Sequence, residues 1–355
     1  MKKLRSAAEL VVFSLAAVVA LPSMAQGQSP PVYTVTKTVV LGAPDHWDFV
    51  HFDSASHRVY VAHGDRLDVV DAREGTISGQ VGGFSGGTHG IAIAAAMGRG
   101  YTDDGRAGEA RAFDLKTLKP GKRVKTGADA DAIIYDPASG HVFVVNGDPG
   151  TVTVIDPKSD SAITTLNLGG KLETAVAGGD GKVYVNGEEK QEILRINSKT
   201  NQIDARWPIP NCTKPHGLAI DTATHRIFSS CANSVLVVVN TDTGATVATL
   251  PIGRGTDGAA FDPKRKLVFS SNGQDGTLSI IQEKDAQTFV SLGSIKTAPT
   301  ARTMDIDPDT GRIYLVAADV EAAPGPEAAA SPAGAPRRPS IVPGSLKLLF
   351  LDPAS

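Results

Sequence analysis

Seven ionisable residues occupy one equivalent place along the chain: Asp48, His89, Asp131, Glu173, His216, Asp257 and Arg302. The residue two positions after each is apolar: Val50, Ile91, Ile133, Ala175, Leu218, Ala259 and Met304. A polar layer one residue deep, backed by an apolar layer, is what side chains converging on a channel mouth would show. Carboxylates with an imidazole bind divalent cations. Asp131, Glu173, His216 and Asp257 come from consecutive repeats and form the candidate metal set. A cation there would polarise an ester carbonyl or activate water. His89, between Asp48 and Asp131 in repeat order, is a candidate general base held by a carboxylate. The competing expectation is a self-neutralising plug. Arg302 would then neighbour Asp257 and Asp48, and the two histidines would share protons with the acids.

A second set of polar residues is expected in loops on the same face: His63, Asp103, Asp104, Asn146, Asp148, Asn186, Glu188, Asn233, Asn272 and Asp275. They are candidates for orienting a ligand, although polar loop residues are ordinary. Asp45, His46 and Trp47 precede the first ring residue, and Trp47 could stack on a ligand or simply pack. Other familiar sites are missing. No Cys-x-x-Cys-His is present, so no covalent haem is expected, and no phosphate-binding Gly-x-x-x-x-Gly-Lys loop occurs. Two cysteines cannot build a thiolate zinc cluster. Residues 83–87 match Gly-x-Ser-x-Gly, but that elbow needs a following helix. A glycine-rich link leading into a strand fits better, with Ser85 not a nucleophile.

The elements that must position the ring come from a repeat. A strand ends at Asp-Pro, a turn follows, and a basic or polar residue leads into an apolar-aromatic strand. Tyr135-Asp136-Pro137, Phe261-Asp262-Pro263 and Ile306-Asp307-Pro308 are clear copies. The aromatic anchors are Tyr60, Tyr101, Phe143, Tyr184, Phe228, Phe269 and Tyr314, spaced by 41, 42, 41, 44, 41 and 45 residues. Period-two alternation between turn signals predicts four strands per copy. Gly75, Asp160, Asn201 and Gly244 mark the turn before the fourth strand, residue types that tolerate a left-handed backbone. The second and sixth copies depart, with Leu118 and Ala286 there. Four-stranded units at this period predict an all-β, seven-bladed β-propeller. The last copy lacks its fourth strand, and residues 32–41 supply one. The N-terminal strand is therefore expected to complete the last blade and cover its edge.

The copies His141-Val142-Phe143-Val144-Val145-Asn146 and Thr151-Val152-Thr153-Val154-Ile155-Asp156 resemble the YVTN repeat of YncE-like seven-bladed propellers. The resemblance covers essentially the whole chain after its leader. It implies the fold. The similar propellers include surface-layer repeats, periplasmic DNA-binding proteins, lactonases and a streptogramin lyase, with no catalytic motif common to them.

Glycine (37) and proline (22) suit many short strands joined by turns, and 21% charged residues exclude a disordered chain. Residues 1–25 read as a signal peptide: a basic start, an apolar stretch at 10–21 and Ser23-Met24-Ala25 before the expected cut. Removing them takes away Lys2, Lys3, Arg5 and Glu9 and moves the net charge from −3 to −5. That balance argues against non-specific nucleic-acid binding. No second long apolar run exists, so no membrane span is expected after cleavage, and the location is periplasmic or secreted. Residues 26–355 form one domain, with a mobile Ala/Pro-rich loop at 320–344 that carries Arg337-Arg338. Cys212 precedes the first strand of the fifth copy and Cys231 ends its second, so a Cys212–Cys231 disulfide is expected in an oxidising compartment. The leading expectation is a monomeric binding or interaction module that takes a small molecule, a cation or a protein partner at the channel mouth. The alternative is a metal-assisted hydrolase or lyase, lactonase-like, and whether any reaction is catalysed stays open.

Overall fold

The computed structural model describes residues 31–321 and 340–354. Among them the chain forms seven four-stranded antiparallel sheets. No α-helix occurs among these residues, only two single turns of 3-10 helix, Ala95–Met97 and Gly105–Ala107. In six sheets the strands follow chain order. Blade 1 is Val50–Asp53, Arg58–His63, Arg66–Asp71 and Thr76–Gly82. Blades 2 to 6 span 91–125, 130–167, 172–208, 215–251 and 256–296. The expected signal peptide, residues 1–25, lies outside the described residues. So do residues 322–339, including Arg337 and Arg338, which make up most of the expected loop. Val320 and Ile341, on either side of that segment, pair in a β-bridge.

The seventh sheet draws on both ends of the chain. Its order is Met304–Ile306, Ile313–Ala317, Lys347–Pro353 and then Tyr33–Val40. The last pairing runs antiparallel from Tyr33 opposite Pro353 to Val40 opposite Lys347. Asp352 ties three of these strands together. Its carboxylate accepts from Arg312 Nε at 2.6 Å and Nη2 at 3.0 Å, and from the Thr36 hydroxyl at 2.5 Å.

The buried apolar residues fall into seven clusters, each between one blade and the next. This explains the aromatic repeat. Tyr60 packs between blades 1 and 2, Tyr101 between 2 and 3, Phe143 between 3 and 4, and so on round to Tyr314 between 7 and 1. All seven anchors are at most 2% exposed. Burying each contributes about 1.5–3 kcal/mol, and removing one would uncouple two blades. The Asp of the repeat has a different task. Asp53, Asp136, Asp221, Asp262 and Asp307 each accept the backbone N–H two residues on, closing the turn between first and second strands.

One departure expected from the sequence is not a departure in the backbone. Leu118 adopts the left-handed conformation (φ 56°) at the place held by Gly75, Asp160, Asn201 and Gly244. Its N–H bonds to Asp114 as that of Gly75 bonds to Asp71. The side chain lies over Gly79 and packs with the blade 1–2 cluster, so tertiary contact outweighs the local strain.

Candidate functional site

The ring residues sit where each chain segment enters the innermost strand of its blade. Side chains from elsewhere fix these segments. Asp103 accepts the backbone N–H of His89 at 2.9 Å and of Gly90 at 2.8 Å. Asn186 of blade 4 donates to the carbonyl of His216 in blade 5 at 2.8 Å, and Ser271 of blade 6 donates to that of Arg302 in blade 7. Immediately below the ring, neighbouring inner strands nearly touch. A Cβ on Gly90 would lie 2.5 Å from the backbone N of Ile133, and one on Gly217 would lie 2.6 Å from that of Ala259. The glycine of His89-Gly90-Ile91 and of His216-Gly217-Leu218 is therefore a close-approach requirement.

The seven side chains are partly buried, and they are not equivalent. Asp257 is the hub of one arc: its Oδ1 meets His216 Nδ1 at 2.8 Å and its Oδ2 meets Arg302 Nε at 2.9 Å. Arg302 also reaches Asp48 at 3.9 Å and donates to the Trp47 carbonyl at 3.1 Å. Its guanidinium lies 5.7 Å from the Trp47 ring, and Trp47 is only 5% exposed, so that indole packs rather than waiting for a ligand. His89 Nδ1 is held at 2.8 Å by Asp103, which is fully buried. The ligand atoms of Glu173, His216 and Asp257 lie within 4.8 Å of one another. His216 Nε2 is buried there without a hydrogen-bond partner among the described residues. Asp131, the fourth residue of the expected metal set, is not in this cluster. Its charged neighbours are Asp48, His89, Asp103 and Asp129, and its own charge is the first to act on Glu173 of the next blade.

Burial and mutual repulsion make the acids hard to ionise together. Burial and then the Arg302 and Asp257 charges set Asp48, which is raised to about 6. Burial, followed by the Asp48 charge, pushes Asp131 up to about 8. Glu173 is raised well above the carboxylate range by burial and then by Asp131 and Asp257. His89 moves the other way. Burial opposes its charge, but the bond and charge of Asp103, with Asp48 and Asp131, raise it to about 10. His89 thus favours its protonated form more than a free imidazole does, and the carboxylate that holds it is Asp103. His46, exposed at the mouth, has its ring 6.3 Å from that of His89. Burial and the charges of His89 and Arg302 lower its pKa. Its place beside the ring carried no repeat signal.

Most of the loop residues expected to orient a ligand hold loops instead. His63 is fully buried, with Nδ1 on Asp68 and Nε2 on the Pro44 carbonyl, both at 2.5 Å. Asp104 binds the Gly86 N–H and Arg123, fixing the Gly-x-Ser-x-Gly segment as an interblade link with no helix after it. Asn146 and Asn272 each donate to hydroxyls of their own blade, Thr151 and Thr153 or Thr277 and Ser279. Asn233 bonds Thr213 and Asn211, and Asp275 pairs with Arg254. Glu188 meets Lys171 at 3.0 Å and Lys214 at 3.6 Å. Asp148 is exposed and contributes its backbone N–H to Asp129. Beneath the ring a cavity of about 340 Å³ opens in the channel, and all seven residues of the expected apolar layer line it.

Cys212 and Cys231 form a disulfide, with Cα atoms 5.3 Å apart, at the end of blade 5 that carries His216. Both are fully buried in the blade 4–5 cluster. No helix among the described residues is long and apolar enough to cross a membrane.

Against known proteins, the chain is 25% identical over 191 residues to the protein YncE of Salmonella typhimurium strain LT2. The chain is a seven-bladed propeller that is similar to YncE over about half its length. The YncE of Salmonella typhi matches at the same identity and length. The match covers 52% of this chain and 52% of each YncE, so it spans about half the length of these curated relatives. No family model matches the chain. The solved structure of U3-55K superposes with a TM-score of 0.71 at 10% identity, over 88% of this chain and 98% of that one. At that identity the likeness is one of fold alone. The propeller thus has a known architecture around a mouth whose chemistry must be read from its own side chains.

Proposed function

We propose that this chain is an exported, monomeric interaction module, periplasmic or secreted, that binds a ligand at the mouth of its channel. A divalent cation is the first ligand to test. One observation carries this: a carboxylate, an imidazole and a carboxylate from three successive blades place their ligand atoms within 4.8 Å of one another. The orphaned His216 Nε2 supports it, because Nδ1 is already committed to Asp257 and Nε2 is left for a ligand. Carboxylates that resist ionisation together would ionise readily around a dication. Glu173, His216 and Asp257 would ligate it, with Asp131 and Asp48 adding negative charge around them. The Cys212–Cys231 bridge supports an oxidising compartment. The acidic balance expected after leader removal disfavours nucleic acid as the partner. Elemental analysis of protein purified without chelator tests the reading: one divalent ion per chain supports it, and none after incubation with calcium, magnesium, manganese and zinc contradicts it.

The second reading, a lactonase-like hydrolase or lyase, is favoured by the His89–Asp103 pair. A protonated imidazole oriented by a buried carboxylate is a ready proton donor to a leaving oxygen. Turnover of a lactone panel by the metal-loaded protein, lost in His89→Gln, would support it. No turnover in the wild type would leave the binding module.

A further inference from the structure

The cavity below the ring is not explained by a metal ion. It measures about 340 Å³, is lined by Asp257 of the ring and by the His51–Asp305 pair, and is walled between by apolar residues such as Ile91, Ile133, Leu218 and Met304. A site with a charged rim and an apolar barrel suits a ligand with the same order of parts. The rim itself narrows the choice. Arg302 and His216 are engaged by Asp257, and His89 by Asp103. Two carboxyls on adjacent blades, Asp131 and Glu173, each one residue before a lining residue (Ala132 and Thr174), have no hydrogen-bond donor and no ion pair within 4 Å among the described residues, His89 and Lys171 being their positive neighbours further off. An anionic head would meet four carboxyls of the ring. A lysine side chain inserted from a partner would carry its charge deepest and its methylenes outermost, the reverse of the order found here.

We propose that the channel takes an organic ammonium ion, its head between Asp131 and Glu173 and its aliphatic tail in the cavity beneath. This deepens the reading of the mouth as a ligand site and rests on it. Each added methylene that enters the channel should tighten binding about fourfold, the equivalent of ~0.8 kcal/mol, until the cavity is filled.

The test is calorimetric titration of the purified, metal-stripped chain with methyl-, butyl- and hexylammonium, and with hexanol and hexanoate. Affinity should rise steeply from methyl- to hexylammonium, with hexanol and hexanoate at least tenfold weaker than hexylammonium. Asp131→Asn and Glu173→Gln should each weaken hexylammonium at least tenfold while the melting temperature holds within a few degrees. Equal affinity for methyl- and hexylammonium, or hexanoate binding as tightly, would overturn the proposal, as would binding of a lysine-rich peptide where hexylammonium fails. Parallel titrations with calcium and zinc separate the two readings. Metal binding without ammonium binding overturns only this inference. Ammonium binding without metal binding supports it and removes the cation reading. Silence from every probe overturns both.

Discussion

Replacing Asp352 by Asn should loosen the ring where its two chain ends meet. The carboxylate receives two bonds from Arg312, the residue just before the neighbouring strand, and one from Thr36 in the N-terminal strand. A hydrogen bond to a charged group contributes about 1.5–3 kcal/mol. Asp352 and Arg312 are 24% and 29% exposed, so solvent screening cuts into that figure. The amide keeps the shape and one acceptor, and the expected loss is about 2 kcal/mol at pH 7. For a chain of this size that is a fall of about 3 °C in melting temperature. The pH dependence is a sharper check. Burial alone would raise the Asp352 pKa, but the bonds from Arg312 and Thr36 outweigh it and hold it below its ordinary value. A depressed pKa stabilises the fold above the unfolded value, near 4, and the stabilisation is lost as pH falls through the folded value. Urea denaturation at pH 7 and at successive steps below pH 4 should show wild type and variant converging in acid. Equal stability at pH 7, or a difference that persists in acid, would refute the clamp.

Deleting residues 32–41 should cost far more stability than deleting 322–339. The first removes buried Tyr33, Val39 and Leu41 and bares an edge; equal losses in melting temperature would contradict this. Thiol titration of the unfolded, unreduced protein should find no free thiol, and Cys212→Ser with Cys231→Ser should cost about 3 kcal/mol for a loop closed across 19 residues. Asp103→Asn should lower the His89 pKa, raised to about 10 in the wild type, as read by imidazole NMR. A raised pKa stabilises below the unfolded value near 6.5, so the wild-type advantage should fade as pH climbs towards 10; a titration unchanged by the substitution would remove Asp103 as the partner.

The propeller was legible because its determinant is local and periodic. Tyr60 and its six counterparts recur near every 42 residues, since each must seal one blade against the next. The ring and the apolar layer beneath were legible for the same reason, as equivalent positions in equivalent strands. What escaped was pairing across blades. Asn186 looks like a free loop amide until the carbonyl of His216, 30 residues on, is brought to it. Asp103 looks like a ligand contact until it is found holding His89. Equally invisible is that Glu173, His216 and Asp257 bring ligand atoms within 4.8 Å of one another while Asp131, one blade before, stays outside that cluster. Leu118 shows the opposite failure: residue type argued against a left-handed turn that packing over Gly79 enforces.

The central claim is a mouth that binds a cation through Glu173, His216 and Asp257. Calorimetric titration of the metal-stripped protein with calcium, magnesium, manganese and zinc, at pH 7 and at two temperatures, tests it most directly. One site should saturate with at least one of these ions. Glu173→Gln should weaken it at least tenfold without unfolding the chain, and affinity should fall as pH drops, because protons compete for the same groups. No heat from any of the four ions at either temperature, or a Glu173→Gln protein that binds as tightly as the wild type, would contradict the account.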